Sequence, residues 1–352
     1  MTDLVNLDGL TVSLPTEQGR VTVIHDATMR VGPGEIVGLA GESGSGKSLT
    51  ARALLGLLPE GAQVGGSIRY DGQELVGLDE ATMRGIRGGE IAMVFQDSTA
   101  ALHPMLTVGR QLTEHMRVHR DLSRKAARTE ACDLLDRVRI PDPRAALRAY
   151  PHQFSGGMRQ RIAIASALAG SPRLLIADEP TTALDVTVQA GILALLEQLR
   201  AESGLSVVFI THDLSVLSAI STRSYVFYGG RVMESGPTGE VLTQPLHPYT
   251  KALLDSRPHG ISARTTLRAI PGEPVVPGQA PPGCPFEPRC SFSVDACREM
   301  VPALVPTVPG RSLACDVVSG RTARATIAAS STGSTSTSTD GTGTTSERTV
   351  AP

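Results

Sequence analysis

Apolar positions near the start of the chain fall in short β-rich runs, Val21–Ile24 and Glu35–Ala40, separated by the turn signal Gly32-Pro33-Gly34. From about Leu106 to Leu147 the pattern changes to Arg- and Ala-rich sequence, amphipathic at helical spacing and poor in β-branched residues. This predicts an inserted helical subdomain at about 97–168. Short apolar strands then follow at Leu174–Ala177, Val207–Ile210 and Tyr225–Tyr228, alternating with helical stretches such as Val186–Arg200. Such alternation predicts a parallel α/β sheet. Beyond about Gly236 proline becomes frequent (271, 274, 277, 281, 282, 285, 288), so an irregular accessory module is expected over 236–320. Ser330–Pro352 is mostly Ser, Thr and Gly without an aromatic residue, and 321–352 is expected to be a disordered tail, because such sequence buries too little surface to offset its ordering entropy.

Charge removes one class of partner. Lys and Arg number 33 against 35 Asp and Glu, a formal net charge of -2, without the basic excess of a dedicated nucleic-acid binder. No apolar run reaches the roughly 18–20 residues needed to cross a bilayer, and Asp3 and Asp8 interrupt what would be a signal sequence. The expectation is a protein of the cytoplasm, where the five cysteines would stay reduced.

Gly41-Glu42-Ser43-Gly44-Ser45-Gly46-Lys47-Ser48 fits G-x-x-x-x-G-K-[ST], after the strand Glu35–Ala40 and before an expected helix Leu49–Leu58. In that context the glycines let backbone N–H groups converge on β- and γ-phosphates, the helix N-terminus favours the anion, Lys47 supplies a positive charge and Ser48 a Mg²⁺ ligand. A Gly-rich turn with a chance lysine is the bland alternative, and the strand–loop–helix order argues against it. The apolar strand Leu174–Ala177 runs into Asp178 and Glu179, two carboxylates expected to emerge at the carboxyl edge of the sheet, Asp178 for Mg²⁺ and Glu179 as general base toward water.

Phe154-Ser155-Gly156-Gly157-Met158-Arg159-Gln160, leading into an expected helix Arg161–Ala169, resembles the signature motif of ABC ATPases. Taken alone, Ser-Gly-Gly is also a fair helix cap. The other family elements occur in order: Gln96 resembles the Q-loop, Ala183-Leu184-Asp185 the D-loop and Thr211-His212-Asp213 the H-switch. The resemblance implies that Ser155, Gly156 and Gly157 face ATP held by an opposite subunit, that Gln96 senses γ-phosphate and Mg²⁺, and that His212 contacts the γ-phosphate. It implies an ABC-type P-loop NTPase with an inserted helical subdomain, an antiparallel β edge and a Cys/Pro-rich C-terminal extension, with 1–235 as the nucleotide-binding domain. Two departures stand out. Leu7 to Ile24 lacks the family's adenine-stacking aromatic, leaving Leu14, Val21 or Val23 to pack the base, and Met158 replaces the usual Gln.

Asp178-Glu179-Pro180-Thr181-Thr182, His247-Pro248-Tyr249-Thr250 and Gly283-Cys284-Pro285-Phe286-Glu287-Pro288-Arg289-Cys290 resemble the oligopeptide/dipeptide permease ATPases over about Leu4 to Cys315. That resemblance implies peptide import on the cytoplasmic face of the cell membrane, with a second and often non-identical ATPase subunit, two transmembrane permease subunits and an extracytoplasmic binding protein. Uptake of nickel, glycosides or antimicrobial peptides uses similar ATPases. A soluble ABC ATPase is the rival from another class, though the fused second cassette or long coiled-coil insert usual there is absent. Cys284, Cys290, Cys297 and Cys315 lie in the Pro-rich region at gaps of five, six and seventeen residues, less regular than paired zinc knuckles and suited to loops closing on a cluster. The resemblance to that family implies a [4Fe–4S] cluster there. Zinc stands second and unligated thiols third, while Cys132 is expected to be a small buried hydrophobe.

Overall fold

The computed structural model describes residues 2–97, 101–182, 184–256 and 269–320. Strands β1 (Val5–Thr16) and β2 (Gly19–Val31) form an antiparallel hairpin, and β4 (Gln63–Tyr70) and β5 (Gln73–Glu74) complete a four-stranded antiparallel sheet in the order β2-β1-β4-β5. Its inward residues, among them Leu7, Leu10 and Ile24, pack on Leu39, Ile176 and Ile210 of the main sheet.

That main sheet has eight strands in the order β11-β12-β10-β9-β3-β8-β7-β6. Its parallel part comprises β3 (Ile36–Ala40), β6 (Ile91–Val94), β7 (Leu174–Asp178), β8 (Ser206–Ile210) and β9 (Arg223–Tyr228). Strands β3, β7 and β8 are buried along their whole length, which is why they read as unbroken apolar runs instead of alternating ones. Antiparallel β10 (Arg231–Pro237), β12 (Arg311–Leu313) and β11 (Val305–Val308) extend one edge.

Helix α1 (Lys47–Leu54) leaves the loop after β3 two residues earlier than the sequence pattern suggests, because Gly46 adopts φ 104° and serves as its N-cap; it also ends earlier, ahead of Gly56 at φ 61°. After α2 (Glu80–Ile86), the helical subdomain consists of α3 (Val108–Arg120), α4 (Arg124–Arg137), the single turn α5 (Pro143–Ala146) and α6 (Gly156–Leu168). Thr107 and Ser123 cap α3 and α4. Val108, Leu112 and Met116 recur every four residues on α3 and meet Ala127, Ala131 and Leu135 of α4 in one core. Cys132 packs against that core. Helices α7 (Val186–Ser203) and α8 (Leu214–Ile220) flank the parallel strands.

The extension contains more regular structure than its proline content predicts. It includes α9 (Thr238–Thr243), α10 (Pro248–Asp255), a 3₁₀ turn at Glu287–Arg289 and α11 (Ala296–Glu299), and its end returns as β12 to pair with β10. Whereas the sequence pattern separates the extension from the sheet, hydrogen bonding makes it an edge of that sheet. Only 11 Phe and Tyr occur in the chain, with no Trp, and three of them gather here: Tyr228 lies 4.6 Å from Tyr249 and 5.3 Å from Phe286, between ring centroids. The expected tail at 321–352 lies outside the described residues. No helix among the described residues is long and apolar enough to cross a membrane.

Candidate active site

Parallel register sets Leu39 of β3 and Asp178 of β7 on either side of Ile210 of β8. The carboxyl ends of the three strands therefore lie in one row, and the loops leaving them share an edge.

The loop Gly41–Ser48 wraps this edge. Gly41 (φ 140°) has no room for a side chain, since a Cβ would lie 2.2 Å from the Phe227 carbonyl oxygen. Lys47 is buried and its Nζ donates to Gly41 O (2.9 Å), Glu42 O (2.8 Å) and Ser45 Oγ (3.3 Å). Burial lowers its pKa, opposed by the carboxylates of Glu179, Asp178 and Glu42. Ser43 and Gly44 form the exposed lip of the loop. Ser48 Oγ donates to Asp178 Oδ1 at 2.8 Å. Burial raises the Asp178 pKa against that hydrogen bond and the nearby Arg52 charge. These two oxygen ligands, juxtaposed at the foot of the loop, suit a hard cation such as Mg²⁺.

Glu179 gathers residues from three loops. Its backbone sits at φ 47°, a left-handed conformation costing a non-glycine residue about 1–3 kcal/mol, held by its N–H on Ile210 O at 3.0 Å. Gln96 Nε2 donates to Oε2 at 3.1 Å, Thr182 Oγ1 donates to the same oxygen at 2.9 Å, and His212 Nδ1 lies 3.2 Å from Oε1. Gln96 follows β6 and His212 follows β8, the two neighbours of β7, so strand order alone brings them to Glu179. Thr182 is a residue that sequence reasoning missed. Its signal was the tight turn in Glu179-Pro180-Thr181-Thr182, closed by Thr182 N on Glu179 O at 3.2 Å.

Ser155, Gly156 and Gly157 take no part in these contacts. Ser155 caps α6, its Oγ accepting from Met158 N at 3.3 Å, so the helix starts at Gly156 and not at the expected Arg161. A Cβ on Gly157 would lie 2.6 Å from Val188 on α7, while Asp185 caps that helix through Val188 N at 2.9 Å. The signature turn and Asp185 thus form one neighbourhood. Among the described residues no hydrogen bond or ion pair joins them to the phosphate loop; Ala183 lies outside the described residues. Of the residues expected to pack adenine, Val21 already faces the extension, 2.8 Å from where a Cβ on Gly278 would stand. Beside Gln96 an apolar groove is lined by Leu57, Met93, Phe95, Ala101, His115 and Ala167.

The cysteines depart from expectation. Cys284, Cys290, Cys297 and Cys315 are all free, and Cys284 N bonds Cys297 O at 2.8 Å. Burial, then the neighbouring thiols, pushes the Cys284 pKa up to about 12, and burial also raises Cys290 and Cys315. The four are close enough to influence one another electrostatically. Even so, no group of three or more His, Cys, Asp or Glu among the described residues is arranged to hold a metal ion.

Comparison with known proteins covers both halves of the chain. The sequence profile described as ABC transporter matches residues 24–182, and that described as oligopeptide/dipeptide transporter, C-terminal region, matches 233–297. A peptide import ATP-binding protein of Brucella abortus is 47% identical over 313 residues, covering 89% of this chain and 94% of the relative. The oligopeptide transport ATP-binding protein OppD of Escherichia coli is 44% identical over 312 residues, covering 89% and 92%. Among solved structures, a dimeric ATP-binding cassette in a post-hydrolysis state with ADP and Pi superimposes with a TM-score of 0.60 at 29% identity, covering 66% of this chain and 98% of that one. The cassette cbiO1 from Clostridium perfringens, part of an ABC transporter complex, gives 0.60 at 25% identity, covering 69% and 92%.

Proposed function

The chain belongs to the ATP-binding subunits of ABC transporters and is the ATPase of an oligopeptide importer, and from that premise we propose that its hydrolytic site is shared with a second subunit. The observation that carries this reading is the convergence of Gln96, Thr182 and His212 on Glu179 beside Lys47, Ser48 and Asp178, while among the described residues Ser155–Gly157 make no hydrogen bond to that cluster. One chain offers the phosphate-loop half of a site at one place and the signature half at another.

In this reading the amides of Gly41, Glu42, Ser43, Gly44, Ser45 and Gly46 and the charge of Lys47 bind the β- and γ-phosphates. Ser48, Asp178 and Gln96 would hold Mg²⁺, whose charge offsets that of the phosphates when bound. Glu179 accepts a proton from the attacking water, while Gln96 and His212 fix the orientation of its carboxylate. Ser155, Gly156, Gly157 and Asp185 serve the nucleotide of the opposite subunit, a non-identical paralogue. The groove beside Gln96 receives a cytoplasmic segment of one of two membrane permease subunits, and an extracytoplasmic binding protein delivers peptide. The protein works on the cytoplasmic face of the membrane and has no nucleic-acid partner. Residues 1–235 form the nucleotide-binding domain, 236–320 the extension and 321–352 a tail.

The dependence on partners is the test. The isolated chain is expected to hydrolyse ATP slowly and the assembled complex quickly; full, transport-independent turnover in dilute isolated chain would overturn the shared site. For the extension we propose that the four cysteines bind a structural metal, [4Fe–4S] ahead of zinc, supported by four free thiols gathered in one short Pro-rich segment. Loading requires the thiols to draw together and release their protons. Anaerobic purification with iron, sulfide and zinc analysis should find four irons per chain if the cluster is present, about one zinc if zinc takes its place; metal-free protein would eliminate ligation.

A further inference from the structure

The extension grips the phosphate loop at one residue, Glu42, by both its side chain and its backbone. Arg289 presents a bidentate fork, Nη1 to Oε2 at 2.7 Å and Nη2 to Oε1 at 3.0 Å. The guanidinium is itself held, Nε donating to Pro271 O at 2.9 Å and Nη1 to the Tyr228 hydroxyl at 3.2 Å. Its side chain is 4% exposed and that of Glu42 22%, so the pair is largely withdrawn from water. On the other side the Glu42 N–H donates to the hydroxyl of the fully buried Tyr249 at 2.9 Å. Glu42 O in turn accepts from Lys47 Nζ.

Tyr249 is anchored from below. Its N–H donates to His247 Nδ1 at 3.0 Å, and the N–H groups of Leu246 and His247 each donate to the Glu234 carboxylate at 2.9 Å. Glu234 is fully buried and paired with Arg311. A continuous polar chain therefore runs from the sheet edge through α10 to the second residue of the phosphate loop. A loop that binds phosphate through converging amides depends on where each peptide is held, and here one peptide and the carbonyl that orients the lysine are set by the extension.

We propose that Arg289 and Tyr249 are positioning residues for nucleotide binding, acting through Glu42 to hold the phosphate loop in its accepting shape, so that order in the extension and nucleotide occupancy are thermodynamically linked. The inference rests on the nucleotide-site reading above. Linkage is reciprocal: if the extension strengthens ATP binding, ATP strengthens the extension by the same factor. A contact that merely docked the extension would have neither effect.

The experiment uses the full chain, Mg-ATP as the probe, calorimetric titration for affinity and hydrogen exchange for the segment 284–297. Arg289→Gln leaves a largely buried carboxylate without its partner and should weaken ATP binding roughly 10–100-fold. Glu42→Gln should do the same, and the double variant should be no weaker than either single one, because both remove one interaction. Tyr249→Phe, which deletes only a hydroxyl, should weaken binding roughly 3–10-fold while the chain stays folded, and it carries the test if Arg289→Gln does not fold. Saturating ATP should slow exchange at 284–297 in the wild type and much less in the variants. Wild-type affinity in the variants, or exchange indifferent to ATP, would overturn the inference alone. A wild-type chain that does not bind ATP would overturn the nucleotide-site reading and this inference with it.

Discussion

The carboxyl edge of the parallel strands and the C-terminal extension meet at Glu42, yet they are built on different principles. At the edge, geometry comes from register. Leu39, Ile210 and Asp178 stand side by side, and each polar group is placed by a loop leaving a buried strand. The hydrophobic strands bear the stability, so the edge can carry a left-handed Glu179 and a desolvated Lys47. In the extension, short elements leave little to register, and position comes from three packed aromatic rings and from buried ion pairs linking distant residues. Where strands are long, side chains are free to serve chemistry; where they are short, polar side chains must hold the structure.

The contrast predicts that substitutions at the edge change turnover and that those in the extension away from the Glu42 contact change stability. The largest effect is expected at Glu179→Gln. It should slow ATP turnover in the assembled transporter by about 10²–10⁴ while ATP still binds, the range for removal of a general base; undiminished turnover would show that the Gln96, Thr182 and His212 contacts serve the fold only.

Arg311→Met is the converse. It leaves the Glu234 carboxylate buried with only the Leu246 and His247 N–H groups, and about 3–5 kcal/mol of stability should be lost, with the extension melting ahead of the main sheet in urea. A single transition at the wild-type midpoint would erase the distinction between the regions.

Proton linkage at His247 gives the smallest effect. Burial lowers its pKa from 6.5 to about 4, so folding favours the neutral ring. Its contribution is complete above the unfolded value of 6.5 and is lost as pH falls toward 4, worth roughly 3 kcal/mol across that window. His247→Asn keeps an acceptor for Tyr249 N and should flatten the stability difference between pH 7 and pH 4.5. An unchanged pH dependence in that variant would place the acid-sensitive group elsewhere.

The sequence alone determined the parallel strands, the helical run between them and the phosphate-loop pattern that carries Lys47 and Ser48, because those features are local. An apolar run of five residues specifies a buried strand, and a phosphate loop is a contiguous backbone shape whose glycines are visible as letters. Tertiary structure decided the rest. Thr182 reached Glu179 through a turn whose closure no periodicity reports, and strand order brought Gln96 to the same carboxylate across 83 positions. Ser155 proved to be a helix cap within its own chain, which moves the start of that helix from the expected Arg161 to Gly156. The four cysteines, close in sequence, are free thiols, and among the described residues no three of them stand as a ready ligand group. Glu42 looked like a variable position of a motif until folding set Arg289 against it from 247 residues away. A bond between such distant residues costs loop entropy that only the completed sheet and aromatic cluster offset, so it exists in the assembled fold and leaves no trace in any local pattern.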